Sequence, residues 1–162
     1  MNDDNPKREF VEKAETFFET QHLPRMAGRL LGWLLICVPP VQSAKEIGET
    51  LQMSKGSVST IARQLRQMGL IEKVAQIGAR GDFYRIHPNA TESMLLARQA
   101  EFERLYDLSI QGLNQLEDES PQDRQRLLAV KRMSAMAVAE MTRLIDQIHE
   151  AEGETARSAS EK

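Results

Sequence analysis

Ser54, Lys55, Gly56, Ser57, Ser59, Thr60, Arg63 and Gln67 crowd into one short segment, and no carboxylate stands between Ser54 and Met68. Hydroxyls, an amide, an ammonium and a guanidinium are the groups that bond to phosphate oxygens and to base edges in a DNA groove. A solvated helix face ordinarily mixes Glu with Lys or Arg. An acid-free polar face in an acidic chain is therefore a signal, and the chemistry it suits is reversible binding of nucleic acid.

The spacing places these groups on one side of a helix. With Val58 at zero and an advance of about 100° per residue, Ile61, Ala62, Leu65 and Met68 all fall within roughly 80° of it and form the predicted buried face. Gly56, Ser59, Thr60, Arg63 and Gln67 gather opposite, with Ser57, Gln64 and Arg66 at the edges. Ser54 is the predicted N-cap and Gly69 the residue just past the C-terminus. Gly56 either relieves crowding between two helices or leaves room for a phosphate at the helix N-terminus, where free amides and the helix dipole favour an anion.

Charge supports that assignment locally. From Gln52 to Pro88 the cations are Lys55, Arg63, Arg66, Lys73, Arg80 and Arg85, against Glu72 and Asp82. The local balance is +4 in a chain of net charge −3, so the rest of the chain carries −7. Arg80, between Gly78 and Gly81, is placed as a turn-tip arginine can be when it enters a minor groove. Lys73 and Arg85 are further phosphate candidates.

Several elements must position this face. A helix over about 7–21 carries Phe10, Val11, Ala14, Phe17 and Phe18 on one side. A second, over about 25–37, is apolar on most sides around Trp33, as central core helices are. Ser43 and Glu46 form a capping box for a short helix holding Ile47 and Leu51. After Gln52-Met53 comes the Ser54–Met68 helix, then a strand over 70–77, a turn at 78–82 and a strand over 83–86. Two long helices follow, about 91–117 and about 120–151. The last has Ser120 as cap, Pro121 at its first position and a stripe of Val130, Met133, Ala137, Met141, Leu144 and Ile148 that suits a helix-on-helix seam. The order is mainly α with a small β-hairpin wing, a winged helix-turn-helix. The expected organisation is N-terminal helices over 7–40, a DNA-binding domain over 41–88, a helical region over 89–152 and a disordered tail over 153–162.

The stretch SKGSVSTIARQLRQMGLIEKV followed by GARGDFYRI resembles the winged-helix regulators of the MarR superfamily, and within it the GbsR-like branch. The likeness runs from about Phe10 to Leu116. It implies a homodimer, with the long terminal helices as dimerisation helices, bound to double-stranded DNA at a near-palindromic operator. It also implies repression under the control of a small-molecule effector. Some relatives respond to choline-type osmolytes, but only 5% of this chain is aromatic and no aromatic cage for such a cation is visible.

Other chemistries are not expected. His22, His87 and His149 lie in different predicted elements without metal-ligand spacing, and His149 with Glu152 is a weak pair. No phosphate loop, nucleophile elbow or acid/base constellation is present, so neither catalysis, a metal nor a cofactor is expected. Cys37, the single cysteine, reads as a buried structural thiol in a reducing compartment. The N-terminus lacks an export signal and the longest apolar run is too short to cross a bilayer, so a cytoplasmic protein without a membrane partner is expected. A winged helix that serves as a protein-interaction module without specific DNA binding is the alternative.

Overall fold

The computed structural model describes the backbone of residues 6–78 and 80–160, with side chains through Ala151. The chain divides into two compact units, Met1–Thr91 and Glu92–Lys162. In the first, α1 (Pro6–Thr20) and α2 (Arg25–Ile36) precede a short strand β1 (Gln42–Ser43). The helix pair α3 (Ala44–Leu51) and α4 (Lys55–Gln67) follows, then the strands β2 (Ile71–Val74) and β3 (Phe83–Ile86).

The core of this unit is built from Leu30, Ile47, Leu51, Val58, Leu65 and Ile71, all almost fully buried. α2 sits against α1 and against the winged-helix elements, as expected of its apolar surface. Glycine sets its distance from α1. A methyl added at Gly32 would lie 2.6 Å from Ala14 Cβ, and one added at Gly28 would lie 2.9 Å from Phe18 Cβ. The side of α1 turned to the core is Val11, Ala14, Glu15 and Phe18. Phe10 and Phe17, expected on that side, are 39% and 56% exposed. Glu15 takes the inner position because Arg25 and Arg29 of α2 both pair with its carboxylate.

Local chemistry sets the helix ends. Ser43 caps α3 in a complete capping box: its hydroxyl accepts from Glu46 N at 3.1 Å, and Glu46 Oε2 accepts from Ser43 N at 2.7 Å. Gln52, at φ 55, turns the chain out of α3. α4 ends in a Schellman turn, with Gly69 at φ 70 and bonds from Gly69 N to Arg66 O and from Leu70 N to Leu65 O, each 3.0 Å. That turn corrects the expected place of Met68. Leu70, whose N–H bonds back to Leu65 O, is buried instead, and Met68 is 43% exposed at the C-cap.

The sheet also differs from a two-stranded wing. It has three antiparallel strands in the order β1-β3-β2. β1 pairs Gln42 with Tyr84 and Ser43 with Phe83, and Ala44 N continues the contact by donating to Asp82 O at 2.8 Å. Two residues are too few to show a period, so β1 carries no strand signal. β2 stops at Val74, short of the expected Ile77, because β3 has no residue beyond Phe83 to pair with it.

The second unit is formed mainly by α5 (Ala90–Gln115) and α6 (Pro121–Ser160). Ser109 and Leu113 of α5 and Ser134 and Ile145 of α6 are buried, and Gln99 Nε2 donates to Thr142 Oγ1 at 2.9 Å. Ser120 caps α6 by accepting from Asp123 N at 3.3 Å. Of the expected seam, Met133 and Leu144 remain 46% and 44% exposed. α6 continues to Ser160, past the end expected near 151. The side chains of 152–160 and all of 161–162, on which the expected disordered tail falls, lie outside the described residues.

Candidate nucleic-acid interface

α4 presents the expected face. Val58, Ala62 and Leu65 are buried, while Ser54, Lys55, Gly56, Ser57, Ser59, Thr60, Arg63 and Gln67 are exposed. Ser54 does the capping, its hydroxyl accepting from Ser57 N at 3.1 Å. The Ser57 hydroxyl shares a 2.8 Å hydrogen bond with that of Ser54, so it belongs partly to the cap as well as to the outer face.

Gly56 does not relieve helix crowding. A methyl there would meet nothing nearer than Ser54 Oγ at 3.9 Å, so no neighbouring helix requires the glycine. Gly48 meets that need instead, since a methyl on it would lie 3.0 Å from Met53 O in the turn between α3 and α4. The clearing at Gly56 opens outward, to the exposed side of α4. Gly56→Ala is expected to raise stability by about 0.5–1 kcal/mol through helix propensity and yet to weaken DNA binding. Paired thermal melts and binding titrations check this; tighter or unchanged binding would remove the clearing from the interface.

The wing carries two ion pairs across β2 and β3. Arg85 Nε meets Glu72 Oε1 at 2.6 Å between directly opposed residues. Lys73 Nζ meets Asp82 Oδ1 at 2.6 Å. Tyr84 donates its hydroxyl to Asp82 Oδ2 at 3.4 Å. The hydrogen bond from Lys73 holds the Asp82 carboxyl below its ordinary pKa, so it is ionised at neutral pH. Burial, with the Asp82 charge beside it, pushes the Tyr84 phenol up.

Among the described residues, Lys55, Arg63, Arg66 and Arg80 make no ion pair. The wing turn places Gly78 at φ 79 and Gly81 at φ 121 around exposed Arg80; Ala79 lies outside the described residues. Arg80 and Lys55 line one cleft of about 580 Å³, together with Ser43, Lys45, Glu49 and Asp82. Arg66 and Lys73 line a second, shallower hollow beside Val74–Gln76. The structure thus brings Lys55 and Arg80 together with Lys45, and sets Arg66 beside Lys73 in the second hollow; neither Lys45 nor Arg66 is among the expected contact residues. Arg66 had a signal, an unopposed charge at the edge of the polar face. Lys45 had none, because it lies on α3, outside the basic segment.

Elsewhere, Cys37 is buried, its Sγ donating to Leu34 O at 3.6 Å, and burial raises its pKa. Trp33 is core, with its indole N–H unpartnered among the described residues. His149 Nε2 pairs with Glu92 Oε1 at 2.8 Å, and the side chain of Glu152 lies outside the described residues. No helix among the described residues is long and apolar enough to cross a membrane.

Residues 23–80 match the model of the MarR family. The chain is 42% identical over 127 residues to the HTH-type transcriptional regulator MmpR5 of Mycobacterium tuberculosis (strain ATCC 25618 / H37Rv), an alignment covering 78% of this chain and 77% of that one. It is 37% identical to a transcriptional regulator of known crystal structure, with a TM-score of 0.71, covering 90% of this chain and 99% of the other.

Proposed function

The chain belongs to the MarR family of winged-helix transcriptional regulators, and from that premise we propose that it is a homodimeric, sequence-specific DNA-binding repressor of the GbsR-like branch. Residues 41–88 serve as the DNA-binding domain, supported by 7–40, and 89–152 as the dimerisation region. Ser57, Ser59, Thr60, Arg63 and Gln67 face the major groove. Ser54, Lys55 and Gly56 receive a phosphate at the start of α4, and Arg80 enters the minor groove. The observation that carries this reading is an exposed, carboxylate-free α4 face flanked by Lys55, Arg66 and Arg80, which make no ion pair among the described residues. Exposed Leu128, Met133, Met136 and Leu144 on α6 support a second copy as the partner of that helix. A small-molecule effector sets DNA affinity, and the site of action is the cytoplasm.

Selection of bound sequences from random DNA tests this. The expected result is two inverted half-sites about 10 bp apart, centre to centre, bound with an affinity that falls steeply as salt is added. Absence of binding even at low salt would leave the winged helix as a protein-interaction scaffold.

A further inference from the structure

The segment from Gln52 to Pro88 contains only two carboxylates, Glu72 and Asp82, and both are consumed by wing cations. The local balance of +4 therefore resides in Lys55, Arg63, Arg66 and Arg80. Glu72 is drawn in toward Arg85 with 28% side-chain exposure, whereas Lys73 and Asp82 are 44% and 45% exposed, open to an approaching backbone. Exposed pairs of this kind add little to stability, so stability does not account for the acid.

Asp82 is also held in place more firmly than a surface acid need be. Its carbonyl accepts from Ala44 N at 2.8 Å, its Oδ2 from the Tyr84 hydroxyl at 3.4 Å, and its Oδ1 from Lys73 at 2.6 Å. These bonds hold its backbone and favour this orientation of its carboxylate when a phosphate nears Lys73. Even if the pair opens, the fixed carboxylate repels the phosphate that the lysine attracts, and the two contributions largely cancel.

We infer that Asp82 limits the pull of the wing on the phosphate backbone: by cancelling Lys73 it keeps that lysine out of the sequence-independent part of DNA binding. This rests on the DNA-binding reading above. Non-specific binding comes almost wholly from neutralised phosphates, whereas operator binding also draws on the base-facing groups of α4. An acid placed here therefore trims the component that competes with recognition, and Lys73 is a held charge rather than a contact.

The test uses the full chain and a labelled random-sequence duplex, with affinity measured across a salt series. Asp82→Asn keeps the shape: its amide oxygen can still accept from Lys73, and its NH2 can donate to the Tyr84 hydroxyl. It is expected to steepen the log–log salt slope by about 0.9 per protomer and to raise affinity roughly eightfold per protomer in about 0.1 M salt. The double variant Lys73→Met/Asp82→Asn, which removes both charges, is expected to return the native slope. A native slope in Asp82→Asn overturns the inference. So does a double variant shallower than the native chain by about 0.9, since Lys73 would then itself contact phosphate. A native chain that binds no DNA at any salt overturns the DNA-binding reading and this inference with it, an outcome distinct from either change in slope.

Discussion

Arg63→Ala is expected to weaken operator binding by about 1–3 kcal/mol per half-site, a factor of roughly 5 to 150. In the proposed homodimer the substitution would occur twice, so the whole complex would lose about twice that. The expectation rests on position. Arg63 lies on the outer side of α4, while Val58, Ala62 and Leu65 hold the inner side in the core. It is exposed and forms no ion pair among the described residues, so its guanidinium is free for a base. A planar fork of donors fits the two acceptors of guanine in the major groove. Titrations against the selected operator and against random DNA separate the roles. A base contact costs affinity on the operator and little on random DNA. A phosphate contact costs both equally and lowers the salt slope by about 0.9. Unchanged operator affinity would remove Arg63 from the interface.

Gly32→Ala is expected to destabilise the fold by about 2–3 kcal/mol. Helix propensity alone predicts the reverse, a gain of about 1 kcal/mol. Packing decides the sign. The added methyl would stand 2.6 Å from Ala14 Cβ, where apolar carbons ordinarily keep about 3.5–4 Å. To make room, α1 and α2 must move apart. That movement loosens Val11, Phe18 and Leu30, which are buried at 1%, 6% and 0% exposure. Denaturant melts measure the loss. The double variant Ala14→Gly/Gly32→Ala moves the methyl across the crossing and is expected to recover at least half of it. Losses that simply add in the double variant would show that the contact is not the cause. The outcome bears on the proposed function because α2 also packs against α4 and β3, so a displaced α2 would move the polar face of α4.

The two glycine predictions oppose each other, and only packing separates them. Gly32 stands between Leu31 and Trp33 in an apolar helix and Gly56 between Lys55 and Ser57 in the first turn of α4, but neither local pattern says whether another element presses on the glycine. Gly32 meets another helix, while Gly56 meets open space. The caps are a contrasting case. Ser43 with Glu46, Ser54, Gly69 and Ser120 are readable in the chain, because a cap joins groups only a few residues apart. The outer face of α4 is readable for the same reason, since one helical period relates Val58, Ala62 and Leu65 to Ser59, Arg63 and Gln67.

The sequence by itself therefore determined the helix-turn-helix, its caps and turn, the presence of a wing and the polar face of α4, since short-range hydrogen bonds and periodicity specify all of them. The tertiary structure decided which groups are left free to act. It paired Lys73 with Asp82 and Arg85 with Glu72, and left Arg66 without an ion pair among the described residues. It tied β3 to Gln42 and Ser43, turned Met68 outward and buried Glu15 between two arginines. Each of these depends on residues far apart in the chain meeting in space. Local pattern carries no record of such meetings, so the chain alone shows where charge is carried, and the fold shows which charges are already cancelled.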